Sequence, residues 1–111
     1  MQDPKSILLM GDPGKAAVTQ AIVEAVRRHV PRGRYRVFYF GSRVERRSTE
    51  RSDIDVGLEA DEKIPLDVMA RLREELDEIP VLQKIDLVDF GCVTPEFARE
   101  AKRASELIDE R

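Results

Sequence analysis

The stretch Tyr35-Arg36-Val37-Phe38-Tyr39-Phe40-Gly41-Ser42, followed after ten residues by Asp53-Ile54-Asp55-Val56, decides how this chain is read. Tyr35 to Phe40 is aromatic and β-branched and reads as a buried strand. A Gly-Ser turn behind such a strand can hold a phosphate with its backbone N–H groups. Asp53 and Asp55 are separated by one residue on the next strand, so their side chains point to the same face. An anion cradle and a clamp for a divalent metal thus fall within reach of one another. That is the minimum equipment for handling a nucleoside triphosphate.

Outward from this stretch, two Asp-Pro pairs, Asp3-Pro4 and Asp12-Pro13, each read as a helix N-cap followed by Pro at the first helical position. The first is expected to start a short helix ending near Gly11. The second opens a longer one carrying Val18, Ile22, Ala25, Val26 and His29 on one face. Arg27, Arg28 and then Pro31-Arg32-Gly33 end it. Val44 to Ser52 is polar, with Arg46, Arg47 and Arg51 among Glu and Ser, and reads as an exposed loop. Asp53 to Leu58 is a half-buried strand. A helix is expected from about Pro65 to Ile79, with Met69, Leu72, Leu76 and Ile79 towards the core. Lys84 to Phe90 is a third strand, and Thr94-Pro95-Glu96 opens a last helix with Phe97, Ala101, Ala104 and Ile108 on its apolar face. The fold class is α/β (α+β): a small mixed β-sheet of about three to four strands flanked by helices, in one domain over residues 1–111.

Composition narrows the class. The chain has 111 residues, 41% hydrophobic and 37% charged, with a net charge of −3. The acidic balance argues against broad binding to nucleic acid. No apolar run approaches the roughly 20 residues that span a bilayer, so no membrane partner is expected. Ile7 to Met10 is too short for a signal-peptide core. Cys92 is the single cysteine, which excludes an internal disulfide and a multi-cysteine zinc site. A cytoplasmic protein is the economical expectation.

A metal-assisted attack on a triphosphate needs a hard, oxygen-ligated cation, and two such ions need a third carboxylate. Asp86 or Asp89, on the third strand, is available. They lie three apart, so on a regular strand only one can join Asp53 and Asp55. Asp86 sits among Ile85, Leu87 and Val88, where an unpaired carboxylate is costly unless a cation compensates it. Asp89 lies near the strand end, within reach of solvent.

In this order of motifs the chain resembles the minimal nucleotidyltransferases of the DNA polymerase β superfamily. The likeness rests on Gly41-Ser42, the ten-residue spacing, Ser52-Asp53-Ile54-Asp55-Val56 and the later Ile85-Asp86-Leu87-Val88. Many members of that family are the antitoxin partners of HEPN-domain toxins. The resemblance implies a polymerase β-like core, with Gly41 and Ser42 holding the β- and γ-phosphates and Asp53, Asp55 and Asp86 binding Mg²⁺ as two ions. It further implies that Asp86 helps to deprotonate an acceptor hydroxyl and that ATP is the substrate. The products would be an adenylylated acceptor and pyrophosphate. In the antitoxin members the acceptor is a tyrosine of the toxin, so a hetero-oligomer with a HEPN toxin is expected. Arg43, directly behind the motif, is the best placed arginine to add a charge-assisted contact to the triphosphate.

Two other functions compete: a noncatalytic antitoxin that neutralises its toxin by occlusion, and a transferase acting on a small molecule such as an aminoglycoside. Blander readings suffice elsewhere. His29 is expected to be a structural residue at a helix end, and Cys92 an inert thiol. Gly11-Asp12-Pro13-Gly14-Lys15 fails as a phosphate loop, because Leu9 stands where its first glycine is needed and Ala16 where Ser or Thr should be. Arg71, Arg73, Glu74, Glu75 and Asp77 are expected to form a solvated helix face.

Overall fold

The computed structural model describes residues 14–30, 32–41 and 53–111. The expected first helix, the Asp12-Pro13 cap, Ser42, Arg43 and the loop arginines 46, 47 and 51 lie outside the described residues. The described elements run α1 (Gly14–His29), β1 (Tyr35–Phe40), β2 (Ile54–Ala60), α2 (Leu66–Asp77), β3 (Ile85–Asp89), α3 (Pro95–Arg103) and β4 (Ser105–Glu110). The four strands form one mixed sheet in the order β3-β2-β1-β4. β1 is antiparallel to both β2 and β4, whereas β2 and β3 are parallel and joined through α2. A parallel pair needs such a crossover, and the helix supplies it.

Alternation along the strands gives the sheet two unlike faces. Tyr35, Val37 and Tyr39 of β1, Ile54, Val56 and Leu58 of β2, and Ile85 and Leu87 of β3 point to one side. There they meet Val18, Ile22, Ala25 and Val26 of α1 and Met69, Leu72 and Leu76 of α2, which recur at helical spacing. The other face carries Phe38, Phe40 and Phe90, packed with Val88, Val93, Ala98 and Ala101. Among the described residues it is covered by α3, a nine-residue helix with no buried residue.

The polar face of α2 does more than meet water. Glu75 accepts a hydrogen bond from Arg28 and lies 2.8 Å from His29 Nε2, tying α1 to α2. Arg73 donates to the Leu87 carbonyl at 3.3 Å, tying α2 to β3. His29 is thus partly buried and paired at a helix end. Lys15 lies in the first turn of α1 and bonds Glu106 at 2.7 Å.

The C-terminus departs from expectation. The last helix ends at Arg103, and Ala104, at φ −131° and ψ 83°, turns the chain into β4. Ile108 therefore belongs to a strand, not to the helix that its spacing from Ala101 and Ala104 suggests. The cause is tertiary. β1 has a second edge whose buried backbone groups need partners, and the ladder to β4 supplies them up to the Tyr35–Arg111 exchange, at 3.2 and 2.9 Å. A register shift between Val37 and Phe38 leaves Ile108 packed against the α1/α2 core. Among the described residues the sheet thus has four strands, at the upper end of the expected three to four.

Among the described residues no helix is long and apolar enough to cross a membrane.

Candidate active site

The site begins where β1 ends. Gly41 has φ 80°, a left-handed backbone conformation that costs most residues energy and glycine little. A Cβ there would also lie 2.5 Å from Asp55 Oδ2. Glycine is needed twice over: for the turn, and to let the strand end approach a carboxylate.

The ladders then gather the acidic residues. Phe40 pairs with Asp55 across the antiparallel ladder, and Asp55 with Asp86 across the parallel one. Side chains at paired positions share a face, so Asp55 and Asp86 both stand on the open face of the sheet. Asp53, two residues before Asp55, continues the alternation to the same side. Asp55 is partly buried, whereas Asp53 and Asp86 are exposed. The expectation that Asp86 is crowded by apolar neighbours is corrected here. Ile85 and Leu87 turn to the α1/α2 core and Asp86 turns away from them, so its carboxylate keeps its water.

Burial raises the Asp55 carboxyl above its ordinary range, and the charges of Asp86 and then Asp53 push it the same way. Concentrated negative charge of this kind favours a cation. The donors are carboxylate oxygens, the ligand type of Mg²⁺, so by chemistry and by face the residues fit the ion. Geometrically they have not converged: among the described residues no three His, Cys, Asp or Glu side chains are grouped closely enough to hold a metal ion.

Asp89 takes no part in this grouping. Its carboxylate accepts the Gly91 N–H at 2.8 Å and faces the Cys92 thiol at 3.5 Å. It closes the turn after β3, through these local donors rather than through solvent. Gly41 is thus the one member of the expected phosphate cradle among the described residues.

Two features escape a sequence reading. Gly57 lies between Asp55 and Glu59 on the open face, where a Cβ would stand 2.5 Å from the Phe38 ring and 2.7 Å from that of Phe90. Its absence lets the aromatic cluster settle directly on β2. Beside Gly41, a cavity of about 450 Å³ runs to α3 and is lined by Phe40, Phe97, Glu100 and Arg103. For the first, the sequence offers only an isolated glycine inside a strand pattern. The second needs the sheet order, which no local pattern carries.

Residues 35–111 match the family model described as polymerase beta, nucleotidyltransferase. The chain is 32% identical over 79 residues to the probable protein adenylyltransferase MntA of Haemophilus influenzae, covering 69% of this chain and 68% of that one. In shape it is similar to a chain of the Shewanella oneidensis complex of a tri-AMPylated HEPN toxin with its MNT antitoxin. That match has a TM-score of 0.66 and 17% identity, over 86% of this chain and 71% of the other. A toxin–antitoxin crystal structure with AMP-PNP gives a TM-score of 0.69 at 18% identity, over 82% and 72%. At such identities these two structures speak for the fold, while the family model and the MntA relative speak for descent. The chain belongs to the polymerase β nucleotidyltransferase family, in its minimal nucleotidyltransferase branch.

Proposed function

We propose that this chain is the antitoxin of a HEPN/MNT pair, acting as one domain in the cytoplasm and transferring AMP from ATP to a tyrosine hydroxyl of its toxin. The observation that carries the reading is the register of Asp55 with Asp86 beside Gly41, in a chain 32% identical to a probable protein adenylyltransferase. Gly41 and Ser42 hold the β- and γ-phosphates through backbone N–H donors, with Arg43 beside them. Asp53, Asp55 and Asp86 would hold Mg²⁺, as two ions. Bound there, the metal supplies positive charge against the phosphate oxygens. The tyrosine oxygen bonds to the α-phosphorus and the bond from that phosphorus to the bridging oxygen breaks. Pyrophosphate leaves, and Asp86 accepts the hydroxyl proton before passing it to water. The exposure of Asp86 suits it to this exchange.

The test is to incubate the protein with Mg²⁺, labelled ATP and the product of its neighbouring gene, then measure the intact mass of both proteins. A gain of one or more AMP on the partner, lost with Asp53→Ala, is the expected result. A tight complex without added mass would replace catalysis by occlusion. A labelled small molecule with an unmodified partner would replace the protein acceptor.

A further inference from the structure

We propose that Phe97 is the platform on which the base of the nucleotide stacks, an inference that rests on the transferase reading above. Three observations converge on it. Phe97 belongs to α3 and is fixed at that helix's start, where Thr94 accepts its N–H at 3.1 Å. Its ring is held from behind by the aromatic cluster, 6.1 Å from Phe40 at 84° and 5.9 Å from Phe90 at 52°. Yet it is 44% exposed, the most exposed of the four phenylalanines.

The cavity beside it gives that exposure a purpose. Of about 450 Å³, it has Phe97 at one wall and Gly41 at another, and Gly41 is the residue that abuts the Asp55 carboxylate. A molecule filling it meets a strand-end glycine next to the acidic residues and, further along, a fixed aromatic ring. An occupant suited to both ends carries phosphates at one end and a flat π-face at the other. A nucleotide does; an isolated tyrosine of a protein acceptor matches only the ring. Glu100 and Arg103 stand at the same cavity, paired at 3.2 Å and mostly exposed, and offer an acceptor and donors to the base edge. Stacking tolerates every base but grips larger rings better. The subsite therefore prefers purine over pyrimidine nucleotides.

The chain has no tryptophan, so Phe97→Trp introduces a single indole at the platform, which can be excited selectively above the tyrosine absorption band. ATP should quench its emission and inorganic tripolyphosphate, which lacks a base, should not. In parallel, Phe97→Ala should weaken ATP binding by about tenfold, the scale of one lost base–aromatic stack. It should leave tripolyphosphate binding unchanged, and Phe97→Tyr should restore ATP binding. In a transfer assay the Ala variant should raise the KM for ATP more than it lowers kcat. Equal losses for ATP and tripolyphosphate, or unchanged ATP affinity in a folded Phe97→Ala or Phe97→Leu variant, would overturn the platform. So would an indole that ATP binding leaves unquenched. These failures are separable from that of the function: a wild-type protein that binds ATP through Phe97 but modifies no acceptor keeps the platform and loses the transferase.

Discussion

The two faces of the sheet have been put to different uses. On the α1/α2 side, the inward positions of β1 to β3 are aliphatic or tyrosine up to Asp89 at the end of β3, and two helices close over them. On the other side, β2 alternates Asp55, Gly57 and Glu59, β3 offers Asp86, and one short helix covers part of the surface. The first face holds the fold together by burying apolar area, about 25 cal/mol for each Å² removed from water. The second buries its aromatic cluster but gives up part of that gain to keep carboxylates near one another and within reach of solvent. Stability and chemistry lie back to back on the same strands, one residue out of phase.

The division can be broken hardest at Asp55 and at Leu58, neighbours on β2 that face opposite ways. Asp55→Asn should lower transfer by on the order of a thousandfold, as loss of charge stabilisation worth several kcal/mol does. It should nevertheless leave the protein at least as stable as wild type near pH 7, because the substitution removes a partly buried charge repelled by Asp86 and Asp53. Leu58→Ala should do the reverse: a loss of about 2–5 kcal/mol from the core, read by urea denaturation, with activity per folded molecule retained. Leu107→Ala, on an exposed position of β4, should cost about 0.5 kcal/mol or less. If Asp55→Asn were to unfold the chain, the open face would be structural after all.

The same split explains what the sequence discloses. The buried face is legible because its signal is local: helical spacing in α1 and α2 and alternation in β1 to β3 each show within a dozen residues. The acidic residues are legible too, since Asp53 and Asp55 announce a shared face and Gly41 ends a strand. What stays hidden depends on which strands are neighbours. β4 is an example: Ser105 to Glu110 carries few residues that favour a strand, and Ile108 continues the helical spacing of α3. The free edge of β1 decides its structure, and no local pattern reports that edge. Asp86 is ambiguous in the sequence for a related reason. Its apolar neighbours suggest burial until the parallel register with Asp55 turns it to the open side.

Gly57 sharpens the comparison at a position where the open face is closely packed. With a Cβ, Gly57→Ala would press into the Phe38 and Phe90 rings. Those rings already stack edge-on at 4.8 Å and 70°, which leaves little room to yield. Overpacking of this kind costs about 1–3 kcal/mol. A lower urea midpoint with an unchanged slope would confirm it. A neutral result would mean that the aromatic cluster moves as a unit, and α3 with it.

The smallest effect expected concerns how α3 is held. Having no buried residue, the helix leans on Phe97, Ala98 and Ala101 and, among the described residues, on a charged tie: Glu59 of β2 accepts from Lys102 at 2.6 Å and from Arg36 at 3.0 Å. Burial raises the Glu59 carboxyl, but the hydrogen bonds and charges of Lys102 and Arg36 outweigh it and leave the group below its ordinary range. A carboxylate depressed on folding binds fewer protons in the native than in the unfolded state. Its contribution is therefore present above the unfolded value and lost as pH falls through the lower, folded one. Exposed ion pairs are worth about 1 kcal/mol or less, so Glu59→Gln should barely move the global midpoint. It should instead speed amide hydrogen exchange in α3 several-fold while leaving α1 and α2 untouched, and wild-type protein should show the same selective loosening in acid. Because α3 carries the Phe97 wall of the cavity, that loosening should appear in ATP affinity before it appears in stability. Uniform exchange across α1, α2 and α3 would show instead that α3 opens only when the whole sheet does.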